Sequence, residues 1–582
     1  MRAMLAISLA VLVACAEPAA AQPREGGMVV ADHPAATRIG ANVLRRGGNA
    51  IDAAVATSFA LSICRPYSCG IGGGGFMVIW IADSQKAVVI DYRETAPAAA
   101  TPDMFVDLPE GASRRGGAAV AVPGTVAGLL EAHERYGRMY LFEILAEVTL
   151  LGEQGFLVDA HYESTARAVS ERFKANPEWK QLYPYLWKDL LLEGNARVGD
   201  RIFNPRQAEL IKRIGRRGAR EFYSGDVAEA IASAVQDAGG IITVDDIGNY
   251  AGSIAEPIHT AVAGFDVWTM PPPSSGGIAL AQILQLMDRI EARSLWSEFG
   301  DVHWTHALAE SFRHAFADRS RYLADPRFTP VPTAELLSPA SLDRLAAKIT
   351  RDAVMPIGDV GTRLEAPDAS IPEDGGTSHI SVVDRFGNAV ACTETINLAF
   401  GSFVAVDEFG FLLNNEMDDF TARPGEPNAF GLVQSARNAP EPGKRPLSSM
   451  TPTIVTRDGE VVAVVGASGG PRIITSVAQA LLRILSGQPV AKAVAAARIH
   501  HQFQPDRIEV ESDDNALHAA LVELGHTVKS PVDRTGVVQA IARIREGLTG
   551  AADPRKGGTH EFVPASETVD TPQRPRRRTR GR

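Results

Sequence analysis

Apolar positions recur at helical spacing through residues 35–46 and 50–63, two alanine-rich stretches separated by Gly47-Gly48-Asn49. Glycine ends the first predicted helix, and Asn49 is placed to cap the second. The pattern then changes. A glycine run over 70–75 leads into a continuous apolar strand at 76–81, and a second short strand at 88–92 ends at Arg93. That glycine run precedes a strand and lacks the lysine of a P-loop, so it reads as close backbone packing, not as a phosphate cradle. From 131 to about 347 the pattern is mostly helical. Pro271-Pro272-Pro273-Ser274-Ser275-Gly276-Gly277 interrupts it ahead of an amphipathic helix that starts near Ile278.

After Pro372-Glu373-Asp374-Gly375-Gly376 the period shortens to two. Strands are predicted at 377–383 and 389–396 around a turn at 384–388, and again at 453–456 and 460–465 around Arg457-Asp458-Gly459. A helix-rich first segment is thus joined by a glycine-rich linker to a strand-rich second one. No internal repeat is evident.

Composition narrows the function classes. The chain has 582 residues, 45% of them hydrophobic, enough for a large soluble core. Its formal net charge of −11 includes six arginines among the last nine residues, so the body ahead of that Pro/Arg tail is more acidic still. Phosphate binding needs clustered Lys/Arg on a folded face, so no nucleic-acid partner is expected and the tail reads as a solvated, disordered end. Arg2, an apolar run over 3–14 and the small residues Ala19-Ala20-Ala21 before Gln22 form an export signal too short to span a bilayer. Leu12-Val13-Ala14-Cys15 also fits a bacterial lipoprotein box, so cleavage after Ala21 and lipidation at Cys15 both stand; either gives a secreted or periplasmic protein. Cys64 and Cys69 are spaced to close a small disulfide loop, whereas Cys392 reads as a buried thiol in a strand. No Cys/His grouping has zinc spacing, so no metal and no other cofactor is expected.

Thr377 sits where the flexible linker meets a strand, and alone it says little. Its surroundings say more. The strand at 461–465, the turn Gly466-Ala467-Ser468-Gly469-Gly470 and Pro471 opening an apolar helix make a strand, glycine turn and helix start, whose free N–H groups suit a developing oxyanion. Alternation along 389–396 and beyond sends Thr393, Thr395 and Asn397 to one face, where Thr395 can bond the Thr377 hydroxyl. Asn414-Asn415-Glu416-Met417-Asp418-Asp419 gathers acids and amides fit for an ammonium, and Arg445-Pro446-Leu447-Ser448-Ser449 offers two hydroxyls fit for a carboxylate.

Together with Gly47 to Ala54, Pro271 to Gly277 and Thr377-Ser378-His379, these blocks resemble, in order and over most of the chain, the γ-glutamyltranspeptidase family of N-terminal-nucleophile hydrolases. The resemblance implies an α/β fold, a four-layer αββα sandwich in which both segments form one body. It implies self-cleavage between Gly376 and Thr377, giving a large subunit (22–376 after a 1–21 signal) and a catalytic small subunit (377–560, with a basic tail at 561–582) that stay together as a heterodimer. Thr377 would be the nucleophile, Thr395 the support of its hydroxyl, and Gly469 with Gly470 the oxyanion hole. Arg93, Ser448 and Ser449 would hold the α-carboxylate of a γ-glutamyl group, and Asn397, Glu416 and Asp419 its α-ammonium. Guanidinium matches carboxylate and carboxylate matches ammonium, so the chemistry agrees. The substrates implied are glutathione and related γ-glutamyl compounds, with water, amino acids or dipeptides as acceptors. Residues 421–444 resemble a lid found in some members, but Phe430 stands where a tyrosine is familiar, so the lid is expected to lack a hydroxyl anchor. Glu416 replaces the glutamine of some members. Two rival readings are a glutaryl or cephalosporin acylase on the same scaffold and a non-catalytic binder of γ-glutamyl peptides.

Overall fold

The structure is a computed structural model, and it describes residues 26–292, 300–361, 375–533 and 535–569. The signal, Cys15, the linker residues Pro372 to Asp374 and the arginine-rich end lie outside the described residues. Two antiparallel sheets carry the fold. In chain order their strands are β1 (Gly26–Ala31), β2 (Gly74–Ile81), β3 (Lys86–Tyr92), β4 (Ser253–Ala255), β5 (Ile258–Val262), β6 (Phe265–Thr269), β7 (Gly375–Val383), β8 (Ala389–Leu398), β9 (Thr453–Arg457), β10 (Glu460–Ser468), β11 (Val537–Ile544), β12 (Gly547–Ala552) and β13 (Thr559–Pro564). The first sheet runs β13-β1-β7-β8-β2-β3-β4 and the second β12-β11-β10-β9-β6-β5.

Alternation along the strands builds the layers. In β1, Val29 and Ala31 join one core cluster while Met28 and Val30 join another; β2 divides its residues the same way, Met77 and Ile79 against Phe76, Val78 and Trp80. The first cluster seals the sheet under α1 (Pro34–Arg45) and α2 (Ala50–Cys64). The second fills the space between the sheets and reaches α3 (Gly276–Ala292), α4 (Val302–Tyr322) and α5 (Arg472–Leu485) on the far side. The result is the expected αββα sandwich. Asn49 caps α2 in a reciprocal capping box with Asp52, and Gly47 takes the left-handed conformation (φ 89°) that ends α1.

The span from 131 to 347 is mostly helical as expected, and the β5–β6 hairpin inside it supplies the edge of the second sheet. Three expectations change. Position 561 is not the start of a disordered tail: β13 pairs with β1 from Thr559 through Pro564, Val563 is buried, and Glu561 meets Arg45 at 2.6 Å. The strand before the glycine turn runs on through Ser468, so the turn is shorter than expected. Cys64 and Cys69 are free thiols, not a disulfide. Cys64 ends α2 within the core, and the chain folds back through Arg65 to set the Cys69 thiol beside Ser378 and Glu394. Burial pushes the Cys64 thiol up to about 12 and Cys69 upward as well, which keeps both protonated and unreactive. Cys392 is buried as expected, 3.1 Å from the Tyr92 hydroxyl.

Candidate active site

Thr377 lies in β7, directly opposite Thr395 of β8, and their hydroxyl oxygens are 3.0 Å apart. Thr395 Oγ1 donates its single proton to the Gly376 carbonyl at 2.6 Å and accepts the Asn397 N–H at 2.8 Å. Thr377 must therefore be the donor between the two hydroxyls. In this uncut chain the Thr395 hydroxyl polarises the very carbonyl that self-cleavage would attack, while orienting the attacking hydroxyl. Thr395→Val is expected to slow self-cleavage by about 10²-fold, the scale of one lost oxyanion donor; a time course of freshly purified precursor on a denaturing gel measures it.

Asn397 does not arrive by simple alternation. The β7–β8 register slips between Thr395 and Asn397, and Asn397 takes a positive φ of 74°, a bulge that turns its side chain toward Asn415, whose carbonyl accepts its Nδ2–H at 2.9 Å. Such a bulge cannot be read from apolar spacing. Asn414 in turn ties the 414–419 segment to two loops, accepting from Ala121 N–H and donating to the carbonyl of Gly72 just ahead of β2.

One small cleft gathers Thr377, Thr395, Asn397, Arg93, Glu416, Asp419, Ser448, Ser449, Gly470 and Phe430. Gly469 sits one residue back from it, and both glycines have positive φ, 127° and 60°. No acceptor among the described residues takes the N–H of Gly469 or Gly470, as an oxyanion hole requires. The Phe430 ring lies over Gly470, where an added Cβ would come within 2.6 Å of it. Residues 428–432 therefore cover Gly470 without a hydroxyl: Phe430 and Leu432 are buried in the inter-sheet core, and Asn428 donates to Asp419 at 3.2 Å. Apolar packing replaces the missing anchor.

Electrostatically the cleft is folded onto itself. Arg93, fully buried, donates to Glu416, to Asp419 at 2.6 Å and to the Pro446 carbonyl at 3.2 Å. The expected carboxylate and ammonium holders thus neutralise one another, and the cavity left is only about 20 Å³. Burial raises the pKa of Glu416, of Asp419 and of Glu94, the last to about 7, while Arg93 opposes each rise. Both oxygens of Glu94 and one of Glu416 are buried with no hydrogen-bond partner, and Glu94 Oε2 lies 3.6 Å from the Arg93 guanidinium as a third carboxylate around that cation. The Ser448 Oγ accepts the Met450 N–H, and the Ser449 Oγ accepts from Arg319 at 3.4 Å.

Sequence reasoning gave no role to Arg319, Glu94, His379 or Lys556. Arg319 is buried on α4 with hydroxyl and amide partners; burial lowers it to about 10, with Asp419 opposing. His379, two residues after Thr377, occupies space that exists only because residue 466 is glycine, whose Cβ would lie 2.1 Å from its ring. Burial lowers His379 to about 3, so it is neutral and bonds Thr393 at 2.8 Å; its part is packing.

The family model described as Gamma-glutamyltranspeptidase matches residues 36–563. The chain is 40% identical to the glutathione hydrolase proenzyme of Pseudomonas aeruginosa over 95% of its own length and 97% of that protein's. It is 39% identical to the glutathione hydrolase proenzyme of Escherichia coli, covering 91% and 90%. Among solved structures it resembles a cephalosporin acylase from Bacillus halodurans (TM-score 0.81, 25% identity, 95% and 99% covered) and the γ-glutamyltranspeptidase of Helicobacter pylori (TM-score 0.52, 36% identity, 56% and 92% covered).

Proposed function

Since the chain belongs to the γ-glutamyltranspeptidase family, we propose that Thr377 is its nucleophile twice over, first on the Gly376 carbonyl and then on the γ-carbonyl of glutathione and related γ-glutamyl amides. The protein is an enzyme of the γ-glutamyltransferase and glutathione hydrolase kind, made as a proenzyme and processed into two subunits. The observation that carries the assignment is the hydroxyl pair Thr377–Thr395 against the Gly376 carbonyl, at one end of a cleft whose other end holds Arg93, Glu416 and Asp419.

The steps follow from the position. Cleavage converts the Thr377 amide nitrogen into an α-amine with an ordinary pKa of about 7.7–8.0, low enough to leave a useful neutral fraction near pH 7. That amine takes the hydroxyl proton as Thr377 Oγ1 attacks; the Gly469 and Gly470 N–H groups receive the oxyanion; the amine product leaves, and water or an amino acid or dipeptide resolves the γ-glutamyl ester. For substrate to enter, Arg93 must exchange Glu416 and Asp419 for the α-carboxylate, freeing both for the α-ammonium. The swap keeps every charge paired. Export is part of the same reading, on the charged start, apolar run and Ala19-Ala20-Ala21 of the first residues.

Purified exported protein is expected to show bands of about 38 and about 22 kDa on a denaturing gel and to release p-nitroaniline from γ-glutamyl p-nitroanilide. A single uncut band without turnover would sink the proposal.

A further inference from the structure

Lys556 lies 179 positions beyond Thr377 in the chain, yet its Nζ donates to the Thr377 carbonyl at 2.7 Å. The same ammonium pairs with Asp32 Oδ2 at 3.1 Å, and the two side chains are 0% and 1% exposed. Asp32 is itself fixed. Its Oδ1 accepts from Gln539 at 2.7 Å, and its backbone carbonyl accepts from the Arg65 guanidinium, which also reaches the Lys556 carbonyl at 3.3 Å. A buried ammonium is costly unless it is well paired; Asp32 supplies that pairing, and the contact to the carbonyl of the nucleophilic residue is left to be explained.

Cleavage supplies one. A strand residue is held from both sides, through the peptide before it and the peptide after it. Once Gly376 departs, Thr377 keeps only its carbonyl side, while its amine and hydroxyl must stay together for proton transfer. We propose that Lys556, braced by Asp32, is a positioning residue for the nucleophile: it clamps the Thr377 carbonyl and so fixes where the newly released α-amine points. This inference rests on the reading of Thr377 given above.

The charge acts in the same sense, because a cation beside the α-amine disfavours its protonated form. The other charged or titratable groups near the pair are Asp32, Arg65, Cys69 with the Glu394 carboxyl beside it, which burial raises to about 7, and, beyond Arg65, Asp159 on the Lys556 side, with the Tyr67 ring 6.0 Å from Nζ. Arg93, Glu416, Asp419 and neutral His379 face Thr377 from the cleft and its own strand. All of these are common to the variants compared below.

The test uses the whole chain in three forms, Lys556→Arg, Lys556→Gln and Lys556→Met, followed by self-cleavage on gels and by kcat/KM against pH for the cut enzyme. Lys556→Met is expected to lose about 10- to 10²-fold in kcat with KM changed only a few-fold, and its acid limb should move up by about half to one pH unit. The sign follows from the mechanism: the neutral amine is the base, activity falls as pH drops through the amine's pKa, and removing a neighbouring cation raises that pKa. Lys556→Gln, which keeps an N–H donor, should recover part of the rate but retain the shifted limb; Lys556→Arg should recover both. If Lys556→Met fails to cut, self-cleavage rates are expected to rank Arg above Gln above Met. Equal impairment of all three, or a wild-type rate and limb in Lys556→Met, overturns the inference. An uncut, inactive wild type would overturn the Thr377 reading instead.

Discussion

Thr377→Ala leaves one uncut chain and removes γ-glutamyl p-nitroanilide turnover by at least about 10⁴-fold, the scale on which loss of a covalent nucleophile is felt. Nothing nearby can take over. The Thr395 hydroxyl points at the Gly376 carbonyl oxygen and Ser378 lies one residue on, across the pleat, so neither supplies an oxygen with an adjoining amine. Thr377→Ser should still cut itself, more slowly, since it retains both hydroxyl and future amine. Mass spectrometry of the two products, beginning at residue 377 in every cut form, checks the position. A Thr377→Ala chain that is still cut there would place the chemistry elsewhere.

Asp419→Asn is expected to lower kcat/KM for γ-glutamyl p-nitroanilide by about 10²- to 10³-fold, because one charge-assisted contact to a buried ammonium is lost. A glutaryl anilide, which lacks the α-amine, should lose no more than a few-fold. This comparison separates the two chemistries that the scaffold can host. An acylase acting on glutaryl groups would leave Asp419 facing an apolar carbon, whereas a γ-glutamyl enzyme needs it. Equal loss on both substrates would remove the ammonium-clamp role.

Much of this site was legible in the sequence because its parts are local: Ser448-Ser449, Gly469-Gly470 and the acids of 416–419 each occupy one turn, and β7 and β8 keep a plain register as far as Thr395. What was not legible depends on distance or irregularity. Lys556 and Arg319 meet the site only through the folding of remote segments, and Asn397 enters through a bulge. The β5–β6 hairpin was hidden because its strands are partly solvated and lie between helices. The mutual pairing of Arg93, Glu416 and Asp419 is a property of the empty cleft; residue types that match a zwitterion also match each other.

The interleaving of the strands bears on the enzyme after it is cut. The first sheet alternates β13, then β1, then β7 and β8, then β2 to β4, so strands from before and after residue 377 are laced together by their backbone ladders. Two polypeptides made this way have no separate folded forms to return to. Separation requires unfolding, gel filtration should show one species at working concentrations, and their melting should be a single event whose midpoint rises with enzyme concentration, because unfolding and separation are one step.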